Sequence, residues 1–227
     1  RSTLFPYTTL FRSLLGWWRT MHLTALLAVL ALSPASYRAA SRAAMARHLW
    51  LGTSRALPGF TLLSLLISIV VIRIVLVTSQ SYGLTQYALE MVVRVLVLEL
   101  IPLAAAMYAA LRCTIPLSAE VAALRSGGGW DALAAQGTDP LRAEVLPRTV
   151  AGAFCALMLA AVSCVITLVV AYLSVYGFTG AGFAAYTHTV GRIFTPALSL
   201  IFALKIFFLG LTVALMPIAS VLDAVPR

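Results

Sequence analysis

Apolar residues in this chain run in long blocks that only an occasional polar residue interrupts. Four blocks reach the roughly 20 residues that a helix needs to cross a bilayer: residues 57–77, 87–111, 150–175 and 193–222. Pro58 opens the first, where a missing N–H would cost nothing. The third carries no charge, whereas the second holds Glu90, Arg94 and Glu99, and the fourth holds Lys205 near its middle. An earlier stretch, 14–32, sets Trp17, Trp18, Arg19 and His22 before a short apolar run. That order predicts a helix lying in the membrane interface rather than a span.

Composition agrees with this pattern. Of 227 residues, 62% are hydrophobic and only 10% charged, with a mean hydropathy of +1.00. A soluble domain averages about 25% charged residues and less apolar surface, so the composition argues against a soluble enzyme. Disorder is excluded too, because it requires low hydrophobicity and high charge density. The fold class is an all-α polytopic membrane protein.

The net charge of +9 would suggest a nucleic-acid partner in a soluble chain, yet the arginines sit in short connections between apolar blocks and no nucleic-acid motif occurs. Arg19, Arg38, Arg42, Arg47 and Arg55 precede the first span, and residues 78–86 contain no Arg or Lys. Arg112, Arg125, Arg142 and Arg148 separate the second span from the third, while residues 176–192 hold one. By the positive-inside rule the N-terminus and the central segment of this multi-pass membrane protein are cytoplasmic.

Residues 1–13 read RSTLFPYTTLFRS, lack an initiating Met and resemble a translated sequencing adapter, so they are treated as an assembly scar. Without Arg1 and Arg12 the charge falls to about +7. The expected organisation is then an interfacial helical region at 14–56 and a transmembrane domain at 57–227 that includes a cytoplasmic loop at 112–148. In that loop Ser118-Ala119-Glu120 reads as a capping start and 130–136 as a short amphipathic helix. Gly137 reads as its stop and Asp139-Pro140 as a turn. The Gly127-Gly128-Gly129 run interrupts any continuous helix. Such a loop is either a solvated connector or a docking surface.

No phosphate-cradling GxxxxGK[ST], no HExxH, no CxxC and no GxSxG occurs. His22, His48 and His188 are too dispersed to suggest a metal site. Cys113, Cys155 and Cys164 form no framework and read as small apolar fillers. Nothing in the chain supports an enzyme or a bound cofactor.

The informative residues are therefore the ionisable ones inside spans, since a lone charge at the bilayer centre costs about 2.5–3.5 kcal/mol or more. Arg73 lies near the end of its span and can snorkel. Glu90 and Arg94, spaced i, i+4, can pair on one helix face. Glu99 and Lys205 have only apolar neighbours one turn away on their own helices. Each must find a partner elsewhere, face a polar cavity or, for Glu99, hold its proton. A Glu99–Lys205 contact across the bundle is one solution; two charges facing a common cavity without touching is another.

These residues fall into a family pattern. Asp131-Ala132-Leu133, Gly137, Asp139-Pro140, Arg142 and Pro147-Arg148 resemble the D-A-L-x-x-x-G-x-D-P-x-R-x-x-x-x-P-R of the MlaE/YrbE permeases. Glu99-Leu100-Ile101-Pro102 is similar to their E-L-G-P, Ala119-Glu120 to the A-E of their cytoplasmic loop, and Lys205 with Gly210 to a later K-x-x-x-F-G. Arg47, Leu49, Trp50, Arg55 and Leu57-Pro58 resemble the approach to their first span.

The resemblance implies a homodimeric permease subunit of an ABC transporter that moves phospholipids or related lipids between the inner membrane and the outer envelope. A separate cytoplasmic ATPase binds the ATP, and a periplasmic MCE-type protein is a further partner. It implies a substrate or gate region at Glu99, Lys205 and Arg94, and ATPase coupling through Glu120, Asp131, Asp139, Arg142 and Arg148. Departures are clear: Leu98 stands for an Arg, Ile101 for a Gly, Leu111-Arg112-Cys113-Thr114 for G-R-x-G, and the triple glycine for T-E-Q. Family members also continue into one more span, so that span is expected to be missing here. Two rival readings are a proton-driven carrier using Glu99, and a degenerate permease serving as an assembly scaffold.

Overall fold

The computed structural model describes residues 21–22, 24–25, 29, 39–137 and 139–224. Residues 1–13 lie outside these, as does the expected interfacial helix apart from isolated positions. Every regular element among the described residues is helical. Four helices are long and apolar enough to cross a membrane, and the chain is an integral membrane protein.

Helix α1 runs Ala39–Ser81. It closes on Gly83 in the left-handed region at φ 70°, with Gly83 N–H donating to Gln80 O and Leu84 N–H to Ser79 O, the bonding of a Schellman stop. Helix α2 is continuous over residues 85–126. After a turn, α3 spans Gly129–Ala135. Helix α4 opens with a wide turn at Leu141–Val145 and continues as Leu146–Tyr176. Helix α5 is Phe183–Ile193 and α6 is Pro196–Ala224.

Three expectations require correction. Pro58 lies inside α1 rather than at its start: the helix begins some twenty residues earlier, and neighbouring helices compensate for a proline inside a membrane helix. Ser118 does not cap a new helix, because α2 does not stop at the end of its apolar block. Its hydroxyl donates instead to Ile115 O one turn back, at 2.7 Å. Between the last two spans, in a connection for which the sequence reading placed no helix, α5 forms. It is anchored by Tyr186, whose hydroxyl donates to Leu168 O at 2.7 Å and whose ring meets Tyr172 and Tyr176 edge-on. Burial and the neighbouring Tyr176 push the Tyr186 hydroxyl up to about 12.

Helix α2 is irregular for a specific reason. Its π-helical stretches Val92–Leu100 and Ala110–Thr114 each end two residues before a proline, Pro102 and Pro116. The wide turn Leu141–Val145 stands in the same relation to Pro147. Proline donates no hydrogen bond and its ring crowds the carbonyl four residues back; widening the preceding turn relieves that crowding. The widened turns also hold one exposed stripe straight. Met91, Val95, Glu99, Leu103, Met107 and Leu111 are spaced by four and all exposed. On a regular helix of 3.6 residues per turn each such step would drift by about 40°.

Helix α4 is central, packing against α1, α2 and α6. Between α2 and α4, Ala105, Ala109, Cys155, Ala156 and Ala160 are buried beside Phe60, and small side chains let the backbones approach. Gly152 is required there, since a Cβ would stand 2.6 Å from Thr114 Cγ2. Cys113 and Cys155 meet sulfur to sulfur across this interface and are buried in the same apolar cluster, so the two small fillers pack against each other. The two residues are 42 positions apart, a separation from which no pairing can be read. Cys164 is likewise a buried thiol.

Candidate functional site

Glu99 sits in the middle of the exposed stripe on α2. Lys205, half-buried on α6, reaches across and forms an ion pair with its carboxylate. The same ammonium donates to Leu98 O at 3.2 Å. Leu98 lies four residues before Pro102, which has no N–H to offer that carbonyl. The next carbonyl back, Val97 O, receives the Cys164 thiol at 3.7 Å. The proline that widens α2 thus exposes backbone acceptors, and α4 and α6 supply their donors.

Leu103, Phe208, Leu209 and Thr212 complete a cleft of about 300 Å3 around the pair. Its surroundings are apolar and open, with Val95, Leu103, Ile201 and Phe208 all more than half exposed. Arg94, one turn before Glu99, pairs with Glu90 at 2.9 Å, as its spacing predicts. It does not join the Glu99 pair.

The second group of expected residues lies at the arginine-rich end. Arg148, near the start of α4, binds Glu144 one turn back and Glu120 of α2 at 3.3 Å, locking the two helices together where they leave the bundle. Asp139 accepts from Leu141 N–H at 3.1 Å and its backbone carbonyl from Arg142 and Ala143. It therefore caps α4, with Arg142 3.6 Å away. Asp131, on the first turn of α3, is exposed and forms no ion pair with a described residue.

Helix α3 has no fully buried residue and projects from the bundle. It hangs on Trp130, which packs against Val121, Val145 and Leu215. Gly128 at φ 74° and Gly137 at φ 72° bound it, matching the expected break and stop. Sequence reasoning missed Arg125, which stacks 5.2 Å from the Trp130 ring and donates to Leu222 O at 2.6 Å. It satisfies the C-terminal end of α6 while holding α3 in place. Its five-residue separation from Trp130 was the only available signal. Nearby, Arg47, Arg55 and Arg112 line a cleft of about 460 Å3 with His48, Glu120 and Arg148.

These positions share the register of one known family. The model for Permease MlaE matches residues 45–226, almost the whole described bundle. The chain belongs to the MlaE permease family. It is accordingly a membrane permease of the ABC-transporter type, a transport subunit rather than an enzyme. No curated protein matches the chain. The MlaE match spans both groups of residues, the ion pair on the stripe and the α2–α3–α4 corner at the arginine-rich end.

Proposed function

We propose that the chain is the permease subunit of an ABC transporter that moves phospholipids or related lipids between the bacterial inner membrane and the outer envelope. A separate cytoplasmic ATPase powers it and a periplasmic lipid-binding protein of the MCE type exchanges lipid with it. The observation that carries this reading is the Glu99–Lys205 pair, set in an apolar-walled cleft on an open face of the bundle. Two charges facing acyl chains alone would cost several kcal/mol. A second copy of the chain closing over this face would turn the cost into a cavity with polar centre and apolar walls. Such a cavity suits a lipid: the pair and the Leu98 carbonyl meet its headgroup, and the stripe of Met91, Val95, Leu103 and Met107 meets its tails at about 25 cal/mol per Å2 of buried apolar area.

The projecting α3 would be the piece that the ATPase grips. Asp131 presents an exposed carboxylate there, and the Asp139 cap and Arg148 bridges make the corner stiff enough to pass a displacement into α2 and α4. The N-terminus and this corner are then cytoplasmic, as the arginines suggest. Co-expression with the cognate ATPase and reconstitution into proteoliposomes test the reading. ATP hydrolysis coupled to lipid movement, and reduced by Asp131→Ala and Arg142→Ala, is expected. A stable lipid-free monomer that binds no ATPase would overturn it.

A further inference from the structure

A second charge lies inside a span, away from the Glu99 pair. Arg73 of α1 is exposed and forms no ion pair or hydrogen bond with a described residue. It lines a groove of about 420 Å3 between α1 and α4, together with Leu65 and Ile69 of α1 and Val170, Leu173 and Ser174 of α4. Leu65, Ile69 and Arg73 follow one another at four-residue steps along one face of α1. Helices α1 and α4 run in the same direction away from the arginine-rich end, so the groove is graded along the membrane normal. It is apolar at Leu65 and Ile69, toward the middle of the bundle, and polar at Arg73 and Ser174, toward the far end. No acidic side chain lines it.

A guanidinium facing hydrocarbon without a counter-charge is costly, and simple snorkelling needs no groove. The grading fits one ligand class, an amphipathic phosphodiester. Its phosphate oxygens accept from the fork of Arg73 and from the Ser174 hydroxyl, while an acyl chain lies along Leu65 and Ile69, both exposed, and continues over exposed Leu62 and Leu66. We infer that the α1–α4 groove is a binding site for a membrane phospholipid from the leaflet opposite the arginine-rich end, with Arg73 as its headgroup clamp. The inference requires only that the chain spans the membrane. Its failure would leave the transport reading untouched, and the reverse also holds.

The test is binding of phosphatidylglycerol to the full chain in detergent, read by native mass spectrometry over a lipid titration. Arg73→Gln is expected to weaken the tightest-bound lipid about 10-fold, the scale of losing a charge-assisted contact. Arg73→Lys should retain most of the affinity. Leu65→Trp, which fills the groove and keeps the charge, should weaken it as well. Inorganic phosphate should not displace the lipid, and diacylglycerol lacking the phosphate should not occupy the site. Unchanged binding in Arg73→Gln overturns the proposal; if that variant fails to fold, unchanged binding in Leu65→Trp does so. Displacement by inorganic phosphate would make the free anion the ligand, and equal binding of diacylglycerol would remove the clamp; either result overturns the site as stated.

Discussion

The two charged centres of this permease use similar groups in opposite surroundings. Arg148 is only 11% exposed and gathers two carboxylates from its own helix and from α2. Glu99 is 69% exposed, on a stripe otherwise made of apolar side chains. The first cluster centres on a buried cation: Arg148 binds both carboxylates, Glu120 itself remaining 55% exposed, and fastens two helices. The second is open: Lys205 satisfies one side of Glu99, and the other side faces outward. A cluster of the first kind does the work of a rivet, and removing its cation should register as lost stability. An open pair inside a span contributes little to holding the bundle, so its presence needs a different reason, a ligand or a second copy.

That contrast can be broken at several points. The largest stability loss is expected from Arg148→Met, which takes from Glu144 and Glu120 the cation that both bind. A fall of about 2 kcal/mol, the scale of hydrogen bonds to charged groups, should appear as a lower unfolding temperature in detergent, and ATPase coupling should fail with it. Asp139→Ala removes the α4 cap and should cost about 1 kcal/mol, while Asp139→Asn should recover most of it because the amide oxygen still accepts from Leu141. Glu90→Gln, which frees Arg94 from an exposed i, i+4 pair, should shift stability by no more than about 0.5 kcal/mol and leave lipid movement intact. A large transport defect there would show that Arg94 belongs to the open site after all. Glu99→Gln should also be mild for stability, within about 1 kcal/mol; a loss as large as that of Arg148→Met would erase the distinction between the two centres.

Much of this was legible before the structure. Four apolar blocks mark the four spans because a bilayer demands length and hydropathy and little else. Glu99 and Lys205 announce themselves because charge is rare inside a span, and the i, i+4 spacing of Glu90 and Arg94 specifies their pair. Gly137 and the triple glycine bound α3 through backbone freedom that other residues lack. What stayed hidden depends on contacts between helices or on helix ends outside the apolar blocks. Hydropathy ends near Leu111, yet α2 continues to Ser126 because Leu117 and Val121 still have partners to pack against. The widened turns before Pro102, Pro116 and Pro147 leave no periodic signature. Neither does the meeting of Cys113 with Cys155, nor the reach of Arg125 to the end of α6. Helix α5 escaped because it is short and its anchor, Tyr186, acts through a carbonyl on another helix.

The central claim is that the open Glu99–Lys205 pair serves lipid handling rather than folding. Charge reversal in reconstituted transporter, with ATP-driven lipid movement as the readout, tests it most directly. Glu99→Lys and Lys205→Glu should each fold, each retain the ATPase and each lose about 10-fold or more of lipid movement, and the double variant should recover much of it, as expected for directly coupled residues. Full activity in either single variant, or a folded double variant as inactive as the singles, would contradict the account.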